Sequence, residues 1–137
     1  MAKLTFLGLK DLNPLQQALV CAVLICIFSL GCLALQQRSM TAWNLIISPV
    51  ILYAFLNPIL GIFTGGSRIK YVLLSFVCFV ALGFFDYTAG NLVSLVKYAE
   101  SRELILFTFL IAIFYFMVYF LSFIFKGVLG FLEDIDK

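Results

Sequence analysis

The chain has 137 residues, 64% hydrophobic and only 12% charged, with a formal charge of +2, no histidine and a mean hydropathy of +1.15. A soluble domain carries about 25% charged and about 45–50% apolar residues, so this balance excludes a soluble globular protein and predicts an all-α integral membrane protein. Without histidine the chain lacks the commonest metal ligand and general base, and no Lys/Arg cluster points to nucleic acid.

Crossing roughly 30 Å of hydrocarbon takes about 20 apolar residues. Four segments qualify, at about 14–35, 42–63, 70–90 and 103–126, within a single membrane domain covering 1–137. The third is the least cleanly apolar. The four cysteines, Cys21, Cys26, Cys32 and Cys78, all fall inside these segments and form no C-x-x-C pair. That placement fits small apolar packing residues better than zinc ligands or a disulfide framework, and no cofactor is expected.

The first span opens on Asn13-Pro14-Leu15-Gln16, in which Asn13 caps, Pro14 suits the first helical position and Gln16 folds back as in a capping box. Ser29-Leu30-Gly31-Cys32 is a weak match to a lipoprotein cleavage box, with Ser29 where leucine is usual, and the span is read as retained. Ala18, Cys21, Ala22, Cys26, Ser29 and Cys32 fall on one side at about 100° per residue. They predict a helix-packing face, because small side chains let helices approach closely where lipid supplies no hydrophobic drive. Leu19, Val23, Leu30 and Leu33 are left for lipid.

A short linker, 36–41, leads to the second span, for which Thr41 is the expected cap. Pro49 and Pro58 inside this span each remove a backbone donor and crowd the preceding turn, so two kinks are predicted. Ser48 and Asn57, immediately before the prolines, are the expected donors to the freed carbonyls, with Asn44 one turn from Ser48. Tyr53, Asn57 and Gly61 recur at i, i+4, i+8 and form a polar stripe that belongs against protein, since an unpaired amide facing lipid is costly.

After the linker 64–70 comes the third span, with Asp86 as the only acid close to a membrane segment. It shares a helical face with Ser75, Cys78 and Leu82. Its distance from the start of the span places it near the outer interface, as an interfacial acid with a candidate ion or proton role. Leu92, Leu95, Val96 and Ala99 then alternate with Ser94, Lys97 and Ser101, which predicts a short interfacial helix near 91–100.

Ser101 is a plausible cap for the fourth span, which is crowded with Phe107, Phe109, Phe114, Tyr115, Phe116, Tyr119, Phe120, Phe123 and Phe125 on all sides. Gly127 suits its end. A second interfacial helix is expected near 128–135, with Val128, Phe131, Leu132 and Ile135 opposite Glu133, Asp134 and Asp136.

Short linkers make successive helices antiparallel neighbours, hence an up-down four-helix bundle. The side shared by both termini and the second linker holds Lys3, Lys10, Arg68, Lys70, Lys126 and Lys137, against Arg38, Lys97 and Arg102 on the other. Cytoplasmic loops are enriched in Lys and Arg, so both termini are expected in the cytoplasm. No activated nucleophile or acid–base set accompanies Asp86, Lys97, Glu100 and Glu103, so no enzyme is expected. The expected role is a non-enzymatic membrane subunit that packs in lipid with itself or with larger membrane partners. The alternative is a small oligomeric channel or transporter using the polar face of the second span and Asp86.

Overall fold

The computed structural model describes residues 13–63 and 67–135. Within them lie α1 (Pro14–Ala34), α2 (Met40–Phe63), α3 (Arg68–Val93) and α4 (Arg102–Ile135), with a single 3-10 turn at Tyr98–Glu100. All four helices are long and apolar enough to cross a membrane, the make-up of a multi-pass membrane protein. They form a helical bundle in which α1, α2 and α3 pack against one another and α4 packs on α2. Among the described residues no Cα of α4 comes within 8 Å of one of α3 or α1. Large aromatic side chains bridge α3 and α4 instead: Phe79 stacks on Tyr115 with centroids 4.2 Å apart, and Phe76 meets Phe116 at 5.9 Å.

The most enclosed helix is α2, with 44% of its most apolar stretch buried against 22% in each of the others. Trp43, Ile46, Tyr53, Ala54 and Asn57 of α2 form the centre with Ile25 of α1. The outer surface is aliphatic and aromatic, as lipid contact requires. On α4 the buried stripe is Leu104, Ile111, Tyr115, Val118 and Ser122, while Phe109, Phe116, Phe120, Phe123 and Phe125 point outward. The aromatics therefore do not surround α4 evenly: tyrosines face protein, because a hydroxyl needs a partner, and most phenylalanines face out.

The helix ends follow from local chemistry. Asn13 Oδ1 accepts from Gln16 N at 2.9 Å and Gln16 Oε1 accepts from Asn13 N at 3.0 Å, a complete capping box ahead of Pro14. At its other end α1 closes with bonds from Gln37 N to Cys32 O and from Gln36 N to Leu33 O. This Schellman closure forces Gln36 to φ 54°, a left-handed position that usually falls to glycine.

Ser39, rather than Thr41, caps α2, since α2 already starts at Met40 and Ser39 Oγ accepts from Thr41 N at 3.3 Å. Ser101 Oγ accepts from Leu104 N at 3.3 Å at the start of α4. Gly127 does not end α4, which continues to Ile135, so no separate helix forms near 128–135. No helix spans 91–100 either: α3 runs on to Val93 and the chain then turns irregularly into Tyr98–Glu100.

That irregular stretch is pinned to the α1–α2 linker. Leu95 N donates to Arg38 O at 2.9 Å, Ser94 Oγ to the same carbonyl at 3.2 Å, and Trp43 Nε1 to Val96 O at 2.8 Å. Trp43 can lie flat against α3 because Gly90 is there; a Cβ at that position would sit 2.2 Å from the indole ring. These backbone partners compete with an amphipathic helix and win. Lys3, Lys10, Asp136, Lys137 and the Thr64-Gly65-Gly66 part of the second linker lie outside the described residues.

Candidate functional site

α2 continues through both prolines. Pro49 has no N–H to offer the carbonyl of Leu45, and Ser48 Oγ donates to that oxygen at 2.7 Å. Asn57 does something different from serving the carbonyl that Pro58 frees. It is fully buried, and its side chain links three other helices. Its Nδ2 donates to Gln17 Oε1 of α1 at 2.8 Å and to Tyr71 Oη of α3 at 3.4 Å. Its Oδ1 accepts from Tyr119 Oη of α4 at 2.7 Å and from Ser75 Oγ of α3.

The rest of the knot closes around this amide. Tyr71 Oη donates to Asn57 O at 3.1 Å and accepts from Gln17 Nε2 at 3.3 Å. Ser75 Oγ lies 3.0 Å from Tyr115 Oη and 2.5 Å from Tyr119 Oη. Tyr53 Oη donates to Ser75 O at 3.2 Å and lies 3.5 Å from Pro14 O. Gly61 supplies room, since a Cβ there would come 2.8 Å from Cε1 of Tyr71. The stripe Tyr53–Asn57–Gly61 thus meets α1, α3 and α4, and each polar side chain in the knot has a partner. Such a network needs full satisfaction to be stable in apolar surroundings.

Other candidate residues sit elsewhere. Asn44 is exposed on the outer side of α2, away from the knot. Of the small-residue face of α1, Ala18, Cys21 and Cys32 are buried and Ala22 and Ser29 partly so, but Cys26 is exposed. The packing face is turned toward Gln17 and Ile25, because Gln17 must reach Asn57 and Ile25 fills the centre. Ser29 Oγ is buried without a hydrogen-bond partner.

Asp86 is buried against its neighbours in the bundle. It is 6% exposed, and its Oδ1 has no hydrogen-bond partner. α3 runs on past it to Val93, which buries the carboxyl one to two turns inside the helix end. The side chain lines a groove of about 310 Å³ between α3 and α4, floored by Ile47 and Val50 of α2. Ser75 and Asp86 are separated by 86 − 75 = 11 residues on α3, about 16 Å of rise. Cys78 and Leu82, both buried, lie between them.

Gln17, Tyr71 and Tyr119 were not singled out from the sequence as site residues, although a signal exists. Polar pairs at i, i+4 recur on three otherwise apolar helices: Tyr53/Asn57, Tyr71/Ser75 and Tyr115/Tyr119. Chemically, the knot is a set of hydroxyls and amides, and among the described residues it has no base bonded to it and no group of three or more His, Cys, Asp or Glu could hold a metal. Comparisons with protein-family models, with curated proteins and with solved structures find no match.

Proposed function

We propose that the protein is a non-enzymatic four-helix membrane subunit that packs with itself or with a larger membrane partner. In this reading the helices are inserted up-down in the bilayer, α2 is kinked at Pro49 and Pro58, and both termini face the cytoplasm. Gln17 near the start of α1 meets Asn57 near the end of α2 and Tyr71 near the start of α3, as alternating directions require.

The observation that carries the reading is the length of α4 that runs past the other described helices. Arg68, the first residue of α3, places its guanidinium 4.4 Å from the ring of Phe123. Beyond that level α4 runs on for 135 − 123 = 12 residues, about 18 Å. Phe125, Val128, Leu129, Phe131 and Leu132 on this extension are all exposed. A further helix, from a second copy or another protein, is what such a surface accommodates. Extraction in a mild maltoside detergent, followed by light scattering and identification of co-purifying chains, tests it. A homo-oligomer or a stoichiometric partner is expected, and a monomer without partner would overturn the reading.

One observation favours the alternative of a small transporter or channel, the buried and unpartnered oxygen of Asp86, since intramembrane acids are often ion or proton sites. Against a continuous route along α2, the polar stripe is saturated by its neighbours. Flux into liposomes that survives both Asn57→Leu and Asp86→Asn would dismiss these residues as its path.

A further inference from the structure

The Asp86 groove has the chemistry of a binding site that the subunit reading does not use. We propose that it binds a small organic monocation with an apolar body, an ammonium whose charge pairs with Asp86 and whose hydrocarbon part lies along Phe79, Phe84 and Ile111.

Three observations converge on this ligand. The first is the carboxylate, buried, with Oδ1 unpartnered and with no Lys or Arg among the residues lining the groove. A lone buried carboxylate is costly unless a proton or a counter-charge joins it. The second is the shape: about 310 Å³ is at the small end of the range of ligand pockets, which are mostly apolar with few polar groups. The space exists because aromatic side chains hold α3 and α4 apart, and Gly83 leaves its wall open, with no heavy atom within 4 Å of where a Cβ would be.

The third is the aromatic rim. Tyr87 and Tyr98, which pack edge to face at 5.2 Å, line the same groove as Asp86, and ring faces attract ammonium groups. A hard metal cation fits less well: it needs about six oxygen ligands, whereas Asp86 is the only carboxylate in a lining that is otherwise apolar, aromatic or hydroxyl-bearing. Binding requires neither a partner subunit nor passage across the bilayer, so its failure leaves the subunit reading standing.

The test is calorimetric titration of the full chain in maltoside micelles with benzyltrimethylammonium and with its neutral isostere, 2,2-dimethylpropylbenzene. The cation is expected to bind saturably and more tightly than the isostere. Asp86→Asn should weaken the cation about tenfold or more, the loss of one charge pairing, and leave the isostere unchanged. Gly83→Leu, which projects into open space and so spares the fold, should abolish binding of the cation. Equal affinity for cation and isostere, equal affinity of wild type and Asp86→Asn for the cation, or no saturable binding to the folded wild type would each overturn the proposal. If Asp86→Asn does not fold, undiminished cation binding by Gly83→Leu overturns it alone.

Discussion

The knot around Asn57 and the groove around Asp86 place polar groups in the same bundle, about 16 Å apart along α3, and treat them in opposite ways. At the knot four helices each contribute side chains, and donors and acceptors are matched until none is left over. At the groove a single carboxyl enters apolar surroundings with one oxygen unmatched. The difference is one of partners. Near the knot Tyr115 and Tyr119 of α4 reach Ser75 and Asn57 with their hydroxyls, whereas the residues lining the groove offer Asp86 Oδ1 no hydrogen bond. Matched polarity holds the bundle together, and unmatched polarity is a cost that a ligand could offset.

Five substitutions would sharpen or break this contrast, each read by SDS-induced unfolding in mixed micelles followed by circular dichroism. Asn57→Leu should have the largest effect, a loss of about 3 kcal/mol, because it removes the amide that bonds to Gln17, Ser75 and Tyr119 at once; a loss below about 1 kcal/mol would mean the knot is not a stabilising unit. The two glycines of α3 should then diverge. Gly90→Ala should cost about 2 kcal/mol by driving a Cβ into the rigid indole of Trp43, while Gly83→Ala, facing open groove, should gain up to about 1 kcal/mol from helix propensity.

Asp86→Leu should also stabilise, by about 1 kcal/mol, since it removes an unpartnered buried carboxyl without orphaning anything; a clear loss of stability would show that Asp86 has a partner and that the two regions are alike. The smallest effect is expected for Tyr119→Phe, about 0.6–1 kcal/mol, the usual worth of an interhelical hydrogen bond in a membrane protein. Tyr115 should remain on Ser75 in that variant, so a loss as large as that of Asn57→Leu would show that the knot fails as a whole rather than bond by bond.

Much of the architecture was legible in advance. The four apolar runs, the capping box at Asn13, the cap at Ser101 and the service of the Leu45 carbonyl by Ser48 all depend on residues within a few positions of one another. The 91–100 and 128–135 segments came out otherwise than their local pattern predicts. The 91–100 segment has amphipathic spacing, but bonds from Ser94 and Leu95 to Arg38 O, and from Trp43 to Val96 O, keep it from coiling. Gly127 resembles a helix end, yet nothing following it supplies a competing turn and α4 continues. Asp86 is buried by side chains of α2, α3 and α4 around its groove, which spacing along one helix could not foretell.

The candidate site divides along the same line. Tyr53, Asn57 and Gly61 could be placed on one stripe from spacing alone, because helical period is a local property. Their partners could not, since Gln17 and Tyr119 are 40 and 62 residues from Asn57 in the chain. Likewise composition made Asn57 and Asp86 equally anomalous in apolar helices. Composition and period alone determined that this chain builds four long apolar helices with a few polar residues on chosen faces. Only the tertiary structure decided that Asn57 is satisfied and Asp86 is not, because hydrogen-bond partnership depends on which helices approach within about 3 Å, and that is set by side-chain packing between segments far apart in sequence.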